Sequence, residues 1–144
     1  MQENPTEPDN PFALPGRWYR ASLHTHTTLS DGERTPEEAV AWYREHGYDV
    51  LALTDHDLRA EVEGLSTPGF LVLPGAEVHP DETELGEPHH LLAVGISRSH
   101  AFSRQDSVQD AIDELRADGA VVWLGHPYWL GLTLPELAGL RGII

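Results

Sequence analysis

The sequence predicts an α/β fold with a largely parallel sheet that gathers its chemistry at one end, as at the mouth of a barrel. Three observations carry this expectation. Short apolar runs alternate with amphipathic stretches, which is the grammar of strand–helix units. His26, His56, Glu77 and His126 stand just after such runs. In folds of this class, ligands collect beyond the carboxyl ends of the strands.

Residues 1–16 carry Pro5, Pro8, Pro11 and Pro15 and read as a flexible arm, leaving 17–144 as the domain. Arg17 to His26 alternates with period 2, so Tyr19, Ala21 and Leu23 share one face and Arg20, Ser22, His24 and His26 the other. Thr35-Pro36-Glu37-Glu38 is a capping box with proline at the first helical position. The helix it opens is expected to reach His46 and stop at Gly47. Val50 to Leu53 is a short apolar strand that delivers Thr54-Asp55-His56-Asp57. Phe70 to Leu73 is expected to be the next, followed by Pro74-Gly75-Ala76-Glu77. Leu91 to Val94 is a fourth strand, and Ala120 to Leu124 a fifth that ends in Gly125-His126-Pro127. Between them, Val108, Ala111, Ile112 and Leu115 mark an amphipathic helix that Gly119 ends. Thr133 opens a short third helix, and Arg141-Gly142-Ile143-Ile144 reads as the beginning of another strand.

His90 precedes its apolar run instead of following it. The connection Val78 to His89 is polar, broken by Pro80, Gly86 and Pro88, and has no helical pattern. A parallel crossover needs a dozen or more residues, usually with a helix, whereas an antiparallel return can be short. The strand after His90 is therefore expected to run backwards in a hairpin. That brings His90 to the same end of the sheet as Glu77.

Composition narrows the function. A chain of 144 residues is one domain by size and long enough for a core. Its net charge is −15, and all 9 of its basic side chains are arginine. Such a surface repels phosphate backbones, which makes long nucleic acids poor partners. No apolar run approaches the ~20 residues of a membrane helix, and the N-terminus lacks the pattern of a signal peptide. The cytoplasm is the expected location. With 0 cysteines, disulfides and thiolate metal sites are ruled out.

Imidazole and carboxylate without thiolate suit Zn, Mn or Fe. A His-x-His pair offers two nitrogens, and a glutamate such as Glu77 can bridge two ions. Paired ions generate hydroxide from water near neutral pH and clamp the attacking and leaving oxygens. Each element alone has an ordinary explanation: a surface His-x-His, a solvated loop acid, a strand-end histidine. Their joint placement at one end of the sheet favours a metal centre. His46 reads as a favourable charge at a helix C-terminus, while His79, His89 and His100 lack a supporting pattern and are expected at the surface or behind the ligands. Trp42 and Tyr43 are expected to pack. Tyr128 and Trp129 are candidate pocket walls, and Arg59 a candidate phosphate or oxyanion contact.

His24-Thr25-His26-Thr27-Thr28-Leu29-Ser30-Asp31-Gly32, Thr54-Asp55-His56-Asp57, Pro74-Gly75-Ala76-Glu77, His90-Leu91-Leu92-Ala93-Val94-Gly95 and Gly125-His126-Pro127 resemble, in order, the motifs of the PHP family, the polymerase and histidinol phosphatase domain. Asn10-Pro11-Phe12, Pro15-Gly16-Arg17-Trp18-Tyr19 and Trp42-Tyr43-Arg44-Glu45-His46-Gly47-Tyr48-Asp49 resemble its stand-alone branch that includes carbaryl hydrolase. The resemblance implies a distorted (β/α)7 barrel holding two to three divalent metals. It places His24, His26 and Glu77 on the first metal, and Glu77, His90 and His126 on the second. Asp31 and His56 fall on the third, with Asp55 orienting His56 or its neighbours. Glu77 and His126 would be the catalytic pair.

The implied activity is hydrolysis of a small phosphoester or nucleotide by a metal-bridging hydroxide. Hydrolysis of a carboxylic or carbamate ester and a non-catalytic metal-binding remnant are the alternatives. Amidohydrolase-type barrels also begin with His-x-His, but commonly bridge their metals with a carboxylated lysine, and this chain has none. The family pattern closes with an Asp-x-His pair that does not follow His126 here. The expectation is a barrel incomplete at its C-terminus, with weak or absent activity if the chain ends there. Its open edges would invite self-association.

Overall fold

In a computed structural model, residue 12 and residues 14–144 are described. Most of the expected N-terminal arm, including Asn10 and Pro11, lies outside the described residues. Five strands form one curled sheet in sequential order: β1 (Ala21–Ser22), β2 (Val50–Leu53), β3 (Leu71–Val78), β4 (Leu91–Val94) and β5 (Val121–Leu124). Helices α1 (Pro36–Glu45), α2 (Val108–Ala117) and α3 (Leu134–Gly139) fill the connections and follow β5. The first three strands are parallel, and β4 is antiparallel to both neighbours. The backward strand expected after His90 is present.

The helices form where their caps say. Thr35 accepts from the Glu38 backbone while the Glu38 side chain returns the bond, and Thr133 and Glu136 repeat the motif at α3. Gly47 and Gly119 follow their helices in the left-handed conformation that glycine adopts without strain.

Two apolar cores lie on the helix side of the sheet. One packs Val40 of α1 against Leu51, Leu53, Phe70 and Val72. The other packs Ala111, Ile112 and Leu115 of α2 against Ala76, Val78, Leu91, Ala93 and Val122. Along β3, Val72, Ala76 and Val78 serve these cores, which leaves Leu73, Gly75 and Glu77 on the opposite face. That opposite face carries an open apolar groove of about 690 Å³, lined in part by Leu23, Leu73, Val94, Val121 and Trp123.

Three strand expectations need correction. The alternation over Arg17 to His26 yields only a two-residue strand, and its apolar face is exposed at Tyr19 and Leu23. β1 forms two register pairs with β2, whereas β3 forms four on the other side. Pro74-Gly75-Ala76-Glu77 does not follow a strand; it lies inside β3. Leu71 to Pro74 pair with β2, whereas Gly75 to Val78 pair with β4. Pro74, which has no N–H to give, stands where β3 changes partners. Finally, Arg141 to Ile144 form no strand, although the Ile144 amide bonds the Val122 carbonyl.

Candidate metal centre

The sheet positions the site by ending its strands around Glu77. The β2–β3 pairing runs on past β2, because the Glu77 amide donates to the Asp55 carbonyl and the Asp57 amide donates to the Glu77 carbonyl. An isolated parallel bridge results between His56 and Glu77. β4 begins directly after His90, and the Gly125 amide bonded to the His90 carbonyl sets His126 beside it. Asp57 (φ 55°) and His126 (φ 28°) adopt left-handed backbone, uncommon for side-chain-bearing residues and often found at functional sites.

Glu77 is 1% exposed and its two oxygens divide the surrounding histidines. Oε1 faces His90 Nδ1 at 2.6 Å and His126 Nε2 at 3.3 Å. Oε2 faces His26 Nε2 at 2.9 Å, His56 Nδ1 at 3.5 Å and His24 Nε2 at 3.7 Å. The six residues, with Asp31 and Trp129, line a pocket of about 270 Å³. Every metal ligand expected from the sequence is therefore in one place.

Surrounding bonds orient the rings. Thr54 Oγ1 donates to the Thr25 carbonyl and accepts from the Thr25 amide, so the His24 Nδ1 at 2.9 Å from it is the donor. His24 Nε2 then turns a lone pair toward Glu77 Oε2. His26 Nδ1 lies 2.8 Å from Asp31 Oδ1 and its Nε2 lies 2.9 Å from Glu77 Oε2, so this ring is held between two carboxylates. The His24 lone pair and the buried Glu77 carboxylate repel one another unless a cation joins them. Among the described residues, His126 Nδ1 is buried with no hydrogen-bond partner. The donor set fits divalent metal ions of borderline hardness.

The electrostatics agree. Burial raises the Glu77 carboxyl pKa, but hydrogen bonds from His26 and His90 and the nearby His24 outweigh it and hold the group well below the carboxylate range. His26 is pushed up, first by its bond to Glu77, against burial. Burial pushes His24 and His126 down, which keeps both neutral and able to ligate. For Asp31, a small burial penalty is outweighed by His26 and His56, and the carboxyl is lowered.

Among the described residues, four groups of three could each hold an ion: His24, His26 and Glu77; Glu77, His90 and His126; His26, Asp31 and His56; and His56, Glu77 and His79. The last includes a histidine that sequence reasoning expected at the surface or behind the ligands. His79 was discoverable, because two residues beyond Glu77 on a strand is the same face. His89 and His100 are buried as well. His100 is held between Glu114 and Asp118, a pairing set by the distant α2 that no local pattern announces.

Other expected roles are redistributed. Asp55, fully buried, accepts from the Thr27 amide, the Thr27 hydroxyl and the Ser30 hydroxyl, and so grips the loop joining His26 to Asp31 rather than the His56 ring. Arg59 does not line the pocket; its guanidinium bonds the Ile96 carbonyl, Glu61 and Glu63. Trp129 stands 4.9 Å from the His126 ring and walls the pocket, whereas Tyr128 is 98% exposed. Tyr43 packs against the α1 core as expected, while Trp42 is partly exposed and stacks on His46. Among the described residues, no helix is long and apolar enough to cross a membrane.

Known proteins resemble this chain in sequence and in fold. The chain is 36% identical over 78 residues to a phosphoribosyl 1,2-cyclic phosphate 1,2-diphosphodiesterase of Eggerthella lenta, covering 51% of this chain and 30% of that protein. It is 32% identical over 108 residues to the 5'-3' exoribonuclease Rnm of Salmonella typhimurium, covering 69% of this chain and 35% of that one. The match thus spans about a third of each relative's length. In structure it is similar to a two-domain protein of Bacteroides vulgatus, described as containing a predicted PHP-like metal-dependent phosphoesterase. The TM-score is 0.61 at 23% identity, covering 83% of this chain and 40% of the other, a likeness of fold alone. The PHP domain model matches residues 22–117, well over half of the chain and most of the ligand cluster, and by that measure the chain belongs to the PHP domain family.

Proposed function

We propose that this chain carries the metal centre of a metal-dependent phosphoesterase acting on a small phosphoester or nucleotide. The observation that carries the reading is the division of histidines between the two Glu77 oxygens, as a bridging carboxylate requires. Two to three divalent ions, Zn, Mn or Fe, would be held by His24, His26 and Glu77; by Glu77, His90 and His126; and by Asp31 and His56. When bound, such ions supply Lewis acidity and an activated water near neutral pH.

The chain's own residues do the positioning. Thr54 and Asp31 fix the ring orientations of His24 and His26. Asp55 anchors the loop that presents Asp31. Glu77 stays ionised because its histidine donors outweigh its burial. Trp129 offers an apolar wall for a substrate base or leaving group beside His126.

The relatives named as exoribonucleases act on RNA, whereas the net charge of −15 favours short substrates here. A second reading, hydrolysis of a carboxylic or carbamate ester by the same centre, is favoured by one feature. Among the described residues, no arginine lines the Glu77 pocket to meet a phosphate. The resemblance to the carbaryl hydrolase branch agrees with it.

Metal content by mass spectrometry, joined to turnover of nitrophenyl phosphates, nucleotides, nitrophenyl acetate and aryl carbamates, separates the readings. Bound metal with phosphoester turnover supports the first, and ester turnover alone the second. Bound metal with neither leaves a non-catalytic metal-binding remnant. Folded protein that takes up no Zn, Mn or Fe overturns all three.

A further inference from the structure

His79 belongs to one of the groups that could hold an ion, yet the proposed function gives it no part. Its Nδ1 lies 3.2 Å from both carboxylate oxygens of Asp57, so this nitrogen carries the proton and donates it. Nε2 is then left with a lone pair, and it points inward, 3.1 Å from His56 Nδ1. On the other side of the His56 ring, Nε2 faces Asp31 Oδ2 at 3.4 Å. A proton donated there leaves His56 Nδ1 as a second lone pair aimed at His79. Glu77 Oε2, 3.5 Å from His56 Nδ1, is a third electron-rich atom. The three ligand atoms lie within 4.8 Å of one another.

Asp57 reaches this position through the backbone. Its amide donates to the Glu77 carbonyl, and its left-handed conformation (φ 55°) turns the chain immediately after His56. The pair reproduces a known device, in which a carboxylate takes the outer N–H of a metal-binding histidine and fixes its tautomer. The His79 ring also packs 4.4 Å from His90 and 4.8 Å from His56, which restricts its rotation.

We propose that His79, oriented by Asp57, is a metal ligand of this centre, binding through Nε2 together with His56 Nδ1 and Glu77 Oε2, in place of an ion shared by His56 Nε2 and Asp31. This rests on the metal-dependent reading of the same site. The pocket makes the Glu77 centre richer in nitrogen than the ligand sets above, on the side where Asp57 is half exposed. A softer ion of the borderline group, Zn over Mn, is the one it should hold more tightly.

The test is binding, independent of turnover. Zn²⁺ titrations followed by calorimetry and by metal content compare wild type with His79→Ala, Asp57→Asn and His24→Ala, each checked for folding by circular dichroism. The expected result is loss of one bound Zn²⁺ in His79→Ala, or about 100-fold weaker binding of the last ion, and about 10-fold weakening in Asp57→Asn. If His79→Ala does not fold, ¹⁵N-histidine NMR of the wild-type protein gives the answer directly. Added Zn²⁺ should shift His79 Nε2 while Nδ1 keeps its proton. A His79 signal unmoved by saturating Zn²⁺, while those of His24 and His26 shift, overturns the proposal and leaves the metal centre standing. If no histidine responds and no ion binds to the folded wild type, the metal-dependent reading itself fails.

Discussion

The Thr54 hydroxyl lies 2.9 Å from His24 Nδ1 and thereby determines which nitrogen of that ring faces Glu77. Thr54 is fully buried at the end of β2, and the same hydroxyl bridges the Thr25 amide and carbonyl. A threonine with no place in any ligand group thus controls the chemistry of one that has it.

Replacing Thr54 with valine keeps the shape and removes the hydroxyl. Without its acceptor, His24 can rotate or change tautomer, and binding of the ion shared with His26 and Glu77 should weaken about 10- to 100-fold. Thr54→Ser should restore most of it. Calorimetric titration with Zn²⁺ distinguishes the two variants, and a Thr54→Val protein that binds as wild type removes this role.

Glu77→Gln tests the bridge. An amide offers one oxygen and one NH2 donor group where the carboxylate offers two acceptor oxygens, so the sets on Oε1 and Oε2 cannot both be served. Loss of two ions together, measured by metal content in folded protein, is the expected outcome. Loss of only one would show that the two sets do not share the residue.

Much of this arrangement was legible in the sequence because its signals are local. Thr35 with Glu38 and Thr133 with Glu136 announce helix starts through contacts three residues apart. The polar connection before His90 announces a hairpin because it lacks a helix. β3 was misread at Pro74-Gly75, a pair that ordinarily marks a turn. A Cβ on Gly75 would sit 2.8 Å from the Ala93 carbonyl oxygen and 3.0 Å from Thr54 Cγ2, so this glycine serves close strand packing instead. That demand comes from Ala93 of β4, across a hairpin, and only the folded sheet reveals it. Arg59 failed for the same reason: what it bonds, Ile96, is set by tertiary structure.

Gly32 tests how tightly the Asp31 loop is built. A Cβ there would lie 2.3 Å from the His26 carbonyl oxygen and 2.6 Å from the Thr27 nitrogen, both backbone atoms that cannot yield cheaply. The Gly32 amide also closes the loop onto the Thr27 carbonyl at 2.8 Å. Gly32→Ala should therefore displace Asp31 from His26 and weaken binding of the ions that His26 serves. Overall stability should fall by about 1–3 kcal/mol, as for other overpacked sites. Urea melts and Zn²⁺ titrations on one preparation check both effects.

Acid should loosen one region outside the metal centre in a defined way. The Asp118 carboxylate accepts from the Ser97 amide and hydroxyl and meets His100 Nε2, while Glu114 meets His100 Nδ1. Bonds from Ser97 and then His100 hold Asp118 well below its usual pKa of 3.8, and bonds from His100 and then Arg98 lower Glu114 from 4.5. A folded-state pKa below the unfolded one means that the unfolded chain takes up protons first as pH falls. The stabilisation is therefore complete above those ordinary values and is lost as pH drops through and below them. Asp118→Asn should flatten this acid limb, with urea midpoints of variant and wild type converging as pH falls from 5 toward 3. Parallel curves over that range would show that the clip between residues 97–100 and α2 contributes nothing to acid stability.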